Sequence, residues 1–351
     1  MEKLLILRLG SMGDIVHALP GAAALRRAFP SATIGWAVEQ RWSELLCRAG
    51  SEQAASGSPE KPLVDTLHFI NTVVWRRTPF SDEMWKQAWS ALSALRAAHY
   101  EAAVDFQGAW KSAGLALWSA ATERVGFDSP RERPAAIFYT RRVRTASPQV
   151  VDQGLELAAA VAGQEPGPAC FPLPYSAVGE AWCNDVLRRR GLQDFALLGP
   201  GGGWGAKLWP AEKYGQVAAA LGREGLPSLI NFGPGEENLA RAVEEASGGA
   251  AQPLSCSLGE LIALARRARL FIGGDSGPMH LAAALGVPVV AIFGPTDPAR
   301  NGPYGARSIV LRHAASRTSY KHHDRPDEAL QSIPAEEVLG AALRLLEAHG
   351  G

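Results

Sequence analysis

Residues 199–210, GPGGGWGAKLWP, join a loop stripped of side chains to one lysine, Lys207, just ahead of a helical stretch. Backbone N–H groups left bare by Gly201, Gly202 and Gly203 near a helix start form an anion site, and Lys207 adds a point charge suited to a diphosphate. The competing reading is a flexible surface loop. Three successive glycines cost chain entropy, however, which favours close backbone approach of a ligand. Residues 273–298, GGDSGPMHLAAALGVPVVAIFGPTDP, repeat the theme. A strand ends in two glycines, Asp275 and Ser276 follow, and Gly277 opens a helix whose dipole points at whatever binds there. Asp275 and Ser276 are also good N-cap residues, and capping is compatible with ligand contact. His280 suits a buried hydrogen bond better than catalysis and is kept as a binding candidate.

Residues 7–20, LRLGSMGDIVHALP, pose a different problem. A buried-strand run is followed by a loop of small residues and an apolar helix, which is how nucleotide folds begin. Yet the loop has neither the G-x-G-x-x-G spacing nor the G-K-[ST] ending of a phosphate cradle. It offers one acid, Asp14, where such folds hold phosphate; a helix cap is its other reading.

These loops need parallel strands to position them. The first half alternates LLILRLG, a helix at about 15–28, ATIGWAV, a helix near 41–48, VDTLHFI, a helix at 82–98 and EAAVDF. Such alternation implies crossover helices on a parallel sheet. After a helix at 148–161, Gly and Pro crowd into GQEPGPACFPLPY, which marks a domain boundary. The pattern then restarts with FALLGPGGG, a helix at 211–224, LPSLINFGPG, a helix at 236–246, RLFIGGDSG, a helix at 278–285 and VPVVAIFGP. Ligands in open α/β sheets bind beyond the carboxyl ends of strands, so the glycine turns should converge. Domains are therefore expected at 1–170 and 176–330, with a last amphipathic helix at 334–349 packing back onto the first.

Bulk composition narrows the class. Thirty-five basic residues balance thirty-five acidic ones, so no overall field marks a nucleic-acid binder. Cys47, Cys170, Cys183 and Cys256 are scattered without metal-ligand spacing, which suggests reduced thiols in the cytoplasm and no structural metal. No apolar run approaches the roughly 20 residues needed to span a bilayer, so the protein is expected to be soluble or to rest on a membrane surface. Trp75, Trp85 and Trp89 are assigned to the core, a membrane interface being the alternative.

GSMGDIVHALP, VDFQGAWKSA at 104–113, GPGGGWGAKLWP and the 273–298 segment occur in this order over nearly the whole chain. Together they resemble the lipopolysaccharide heptosyltransferase family of glycosyltransferases, and SMGDIVHALP is more similar to the heptosyltransferase I branch than to heptosyltransferase II. The resemblance implies a GT-B fold: two Rossmann-like doubly wound α/β domains facing a central cleft, with ADP-L-glycero-D-manno-heptose on the second domain. It implies as acceptor the Kdo (3-deoxy-D-manno-octulosonic acid) region of lipid A, met at the inner face of the cytoplasmic membrane by a peripheral protein. Carried over by residue, the family's catalytic acid falls on Asp14, its phosphate-contacting lysine on Lys207 and its donor-binding acid on Asp275. Its ribose-contacting glutamate falls on Glu236, with Glu237 as the alternative register. Where some relatives carry hydroxyls this chain has Gly202 and Gly203, which leaves phosphate contacts to backbone amides. A carboxylate at Asp14 then suits a general base for an acceptor hydroxyl. Acceptor contacts are expected from Arg76, Arg77, Gln107, Lys111 and Arg131, of which RERPAAIFY favours Arg131. Arg133, Arg141, Arg142 and Arg144 are weaker candidates. The implied reaction is an inverting transfer without metal, and Lys207 also serves the leaving group. The alternatives are another transferase of the family, a nucleotide-sugar epimerase, or a nucleotide-binding protein without turnover.

Overall fold

The computed structural model describes residues 1–77, 81–320 and 325–348; the side chains of Val73, Arg76 and Arg77 lie outside that description. The chain divides into two units, Met1–Tyr175 and Ser176–Gly351. The division falls at the end of the Gly/Pro-rich stretch.

In the first unit β1 (Lys3–Leu7), β2 (Thr33–Val38), β3 (Thr66–Phe69), β4 (Ala102–Asp105), β5 (Glu123–Phe127) and β6 (Arg141–Val143) form a parallel sheet in the order β3-β2-β1-β4-β5-β6. In the second, β7 (Ala196–Gly199), β8 (Ser228–Asn231), β9 (Ala251–Leu254), β10 (Leu270–Gly274), β11 (Val289–Phe293) and β12 (Ser308–Arg312) take the order β12-β11-β10-β7-β8-β9. Counted within each unit, both orders are 3-2-1-4-5-6, that of a Rossmann sheet. Leu4 to Leu7 are fully buried because helices cover both faces, so β1 reads as a continuous apolar run rather than an alternating one. The outer strands β6, RRV, and β9, AQPL, carry charge or proline. Such sequences blunt sheet edges, and they give no apolar signal by which sequence reading could find them.

Two expectations are corrected. The stretch near 41–48 is a short 3-10 helix, Gln40–Leu45. The last helix, Ala335–Glu347, buries Val338, Ala341, Ala342 and Leu345 in the same apolar cluster as Val217, Leu221 and Val290 of the second sheet's core. These buried residues pack within the second unit. Trp75 packs against the first core, but Trp85 and Trp89 are 63% and 64% exposed on the outer face of the helix Asp82–Ala97.

Candidate active site

In each sheet one pair of neighbouring strands feeds connections that leave in opposite directions, which opens a crevice at the carboxyl ends. In the first unit that pair is β1 and β4, with Leu7 opposite Asp105 in the register. Asp14 lies just beyond β1, in the first turn of the helix Met12–Ala28, whose N-cap is Ser11. One carboxylate oxygen accepts from the Ser11 N–H at 3.0 Å and the Ser11 hydroxyl at 3.1 Å. The other is ion-paired with Arg8. Asp14 therefore does cap its helix, and its side chain still keeps about a third of its surface open. Burial works against its charge, but Arg8 first, then His17, the Ser11 N–H and Arg131, outweigh it and hold the carboxyl below its usual range. An ionised, half-open carboxylate can accept a proton.

Asp105, which sequence reading left among the strand residues, organises the loop after β4. It is fully buried and accepts four hydrogen bonds: from the N–H groups of Gln107 (2.8 Å) and Gly108 (3.1 Å), the Ser112 hydroxyl (2.8 Å) and the Tyr139 hydroxyl (2.7 Å). Burial nevertheless pushes its pKa up. The signal was an acid ending an otherwise apolar strand, AAVD. The loop so held presents the Gln107 side-chain oxygen to the Leu9 N–H at 2.9 Å, and Gly108, at φ +64°, packs under the Arg131 backbone. Asp14, Gln107 and exposed Arg131 are thus brought together. Lys111 instead lies over the ring of Trp110, 5.9 Å from its centroid. Arg76 and Arg77 end the helix Thr72–Arg77, and their side chains lie outside the described residues. Arg141 pairs with Glu123 at 3.2 Å and donates to the Ala160 carbonyl.

In the second unit the pair is β7 and β10, with Gly199 opposite Gly273. Lys207 reaches from the loop after β7 to Asp275 beyond β10 at 2.6 Å, and its ammonium stands 4.6 Å from the Trp204 ring centroid. The other Asp275 oxygen bonds His280 Nε2 at 3.0 Å. Burial opposes ionisation of Asp275, but the hydrogen bond and charge of His280 and the charge of Lys207 hold it well below the usual carboxylate range. His280 is itself buried. Ser276 occupies the N-cap of the helix Gly277–Ala284 without a side-chain cap bond, so the capping reading fails for its hydroxyl. After β8 the Glu236 carboxylate accepts from the Gly233 N–H at 2.7 Å and lies against Gly201, while Glu237 is exposed.

The glycines separate by cause. A Cβ on Gly201 would stand 2.3 Å from Glu236, and one on Gly273 2.7 Å from the Phe271 ring. Those two are glycine because the protein itself fills the space. At Gly203 a Cβ would meet no protein atom within 4 Å, so that position alone of the three has room for a ligand on the side-chain side. Among the described residues, no group of three or more His, Cys, Asp or Glu side chains could hold a metal.

A model of glycosyltransferase family 9 (heptosyltransferase) matches residues 88–330, a span that takes in Asp105, Lys207, Glu236 and Asp275. The chain belongs to glycosyltransferase family 9. It is 28% identical over 344 residues to lipopolysaccharide heptosyltransferase 1 of Salmonella typhimurium, covering 96% of this chain and 99% of that one. To lipopolysaccharide heptosyltransferase 3 of Escherichia coli K12 it is 26% identical over 350 residues, covering 95% of each. The E. coli heptosyltransferase WaaC, solved with ADP, superposes with a TM-score of 0.78 at 26% identity, over 98% of this chain and 99% of that one. This family 9 protein is therefore a glycosyltransferase of the lipopolysaccharide heptosyltransferases, with two Rossmann-like α/β sheets of the GT-B class.

Proposed function

We propose that the enzyme transfers L-glycero-D-manno-heptose from ADP-heptose to Kdo of lipid A with inversion, as a heptosyltransferase I. The observation that carries the reading is Asp14: a carboxylate kept ionised at the end of β1, partly open, in the unit that does not hold the glycine loop and lysine. The acceptor hydroxyl attacks the anomeric carbon and gives its proton to Asp14 as the bond to the diphosphate breaks. Charge growing on ADP is met by Lys207, by backbone N–H groups at Gly202 and Gly203 and by the start of the helix Gly277–Ala284. Before the donor arrives Lys207 is held by Asp275, so the diphosphate shares a cation already aimed rather than recruiting a mobile one. Glu236 faces the donor ribose. Arg131 and Gln107, together with Arg76, Arg77 and Lys111, take the acceptor's carboxylates and phosphates. The acceptor would be met at the inner face of the cytoplasmic membrane by a peripheral enzyme; among the described residues no helix is long and apolar enough to cross a membrane.

Similar identity to a heptosyltransferase 3 favours, as second reading, transfer onto an acceptor that already carries heptose. Incubation with ADP-heptose and either Kdo-lipid A or its heptosylated form, followed by ADP assay and mass spectrometry, separates the readings. We expect ADP release only with acceptor present, and a product heavier by one heptose from Kdo-lipid A. Addition only to the heptosylated acceptor establishes the second reading. ADP or epimerised donor formed without acceptor overturns both.

A further inference from the structure

Arg8 was not among the residues that the sequence pattern singled out, yet it is the buried partner of Asp14. Only 9% of its surface is exposed. One terminal nitrogen, Nη1, donates to the Phe106 carbonyl in the loop after β4 at 2.7 Å, and the other, Nη2, is ion-paired with Asp14 Oδ1. Its backbone is fixed as well: its N–H donates to the Ala37 carbonyl at 3.3 Å and its carbonyl accepts from the indole of fully buried Trp36 at 3.0 Å. The next residue, Leu9, is tied to Gln107, whose loop hangs from Asp105. The guanidinium therefore spans the two loops of the β1/β4 crevice, and neither end is free to drift.

We propose that Arg8 is the positioning residue of Asp14, clamping one carboxylate oxygen against the β4 loop so that the carboxylate presents a fixed edge to the acceptor hydroxyl. The inference deepens the reading of Asp14 as base and rests on it. The planar fork suits the task because two donors point at two acceptors in fixed directions; a lysine ammonium supplies the charge without the fork. Arg8, His17 one turn along the helix of Asp14, and Arg131 from the segment after β5 all act on the Asp14 carboxylate. Arg131 is exposed and is the one assigned to the acceptor, whereas Arg8 is buried and its contacts are internal. When an acceptor anion engages Arg131, Arg8 remains to hold the charge on Asp14.

The test compares kcat/KM for the acceptor between pH 4.5 and 8 in the parent, Arg8→Met, Arg8→Lys and Asp14→Asn, with ADP affinity and thermal melting measured on each. Loss of an adjacent opposite charge raises a carboxyl pKa by about 1 unit or more. The acid limb of Arg8→Met should therefore move up into the measured range, with activity partly recovered toward pH 8. Arg8→Lys should keep the parent's acid limb while kcat falls about tenfold or more at every pH, because lysine supplies the charge without fixing the carboxylate's orientation. Should Arg8→Met not fold, Arg8→Lys decides: lowered kcat with unchanged ADP affinity supports the clamp, and parental kcat overturns it. A folded Arg8→Met with the parent's pH profile also overturns it. Asp14→Asn tests the underlying reading separately, since parental activity there removes Asp14 as base whatever the Arg8 variants do.

Discussion

The two sheets share one strand order but use their switch points in opposite ways. At β1/β4 the helix start is spent on the protein's own carboxylate: Asp14 takes the Ser11 N–H, and the dipole and Arg8 stabilise its charge. At β7/β10 the helix Gly277–Ala284 begins without a side-chain cap, and the nearby acid, Asp275, points instead at Lys207 and His280. Topology gives two equivalent crevices; in the function proposed, side chains make one a place for a proton acceptor and the other a place for an anion. A Rossmann strand order therefore locates a site without stating its chemistry.

The comparison can be broken most directly at Asp14. Asp14→Asn should lower kcat by about 10²-fold or more, the usual scale for loss of a general base, while calorimetry finds ADP affinity within about twofold of the parent. A large loss of ADP affinity would mean that the two crevices do not divide the labour as argued.

Lys207→Ala strikes the other side. It removes the cation proposed for the diphosphate and leaves buried Asp275 with His280 as its remaining partner. ADP affinity should fall by roughly 10-fold, and kcat/KM further, because leaving-group charge grows in the transition state. Stability adds a pH signature. The pKa of Asp275 is depressed in the folded protein, so its contribution is present above the unfolded value of about 4 and is lost as pH falls through the folded one. Melting temperatures of parent and Lys207→Ala should thus differ at pH 7 and converge in acid.

A smaller effect sharpens the assignment of the glycines. Gly201→Ala should cost about 1–3 kcal/mol of stability by chemical denaturation, because its methyl collides with Glu236. Gly203→Ala should melt as the parent does, and any loss of ADP affinity there reports the ligand. Equal destabilisation by both would contradict the separation.

The smallest effect lies under the first crevice. Tyr139→Phe removes one of four donors to Asp105 and should cost about 1–2 kcal/mol of stability, with acceptor KM changing more than ADP affinity. Equal change in both would show that the Asp105 network does not serve the first crevice alone.

Much of this was legible in the chain. Alternating apolar stretches gave the parallel sheets, because helices over both faces impose continuous hydrophobic runs. The Gly/Pro cluster gave the division between the units. Asp14, Lys207 and Asp275 stood out because each ends a strand in a loop of small residues. Two things were not legible. The fate of the last helix depends on which surface its stripe meets, and periodicity records the stripe without its partner. The exposure of Trp85 and Trp89 was hidden for the same reason.

The sequence by itself determined that two strand-loop-helix sites exist, that one offers a carboxylate and the other glycines with a lysine, and that the motif order is that of a heptosyltransferase. Only the tertiary structure decided the pairings: Arg8 with Asp14, Asp105 with the loop that carries Gln107, Lys207 with Asp275, and Glu236 rather than Glu237 with Gly201. For the longest of these contacts the reason is distance along the chain. Asp275 lies 68 residues from Lys207 and Phe106 lies 98 from Arg8. Contacts of that span are fixed by strand order and register, which local residue preferences do not encode.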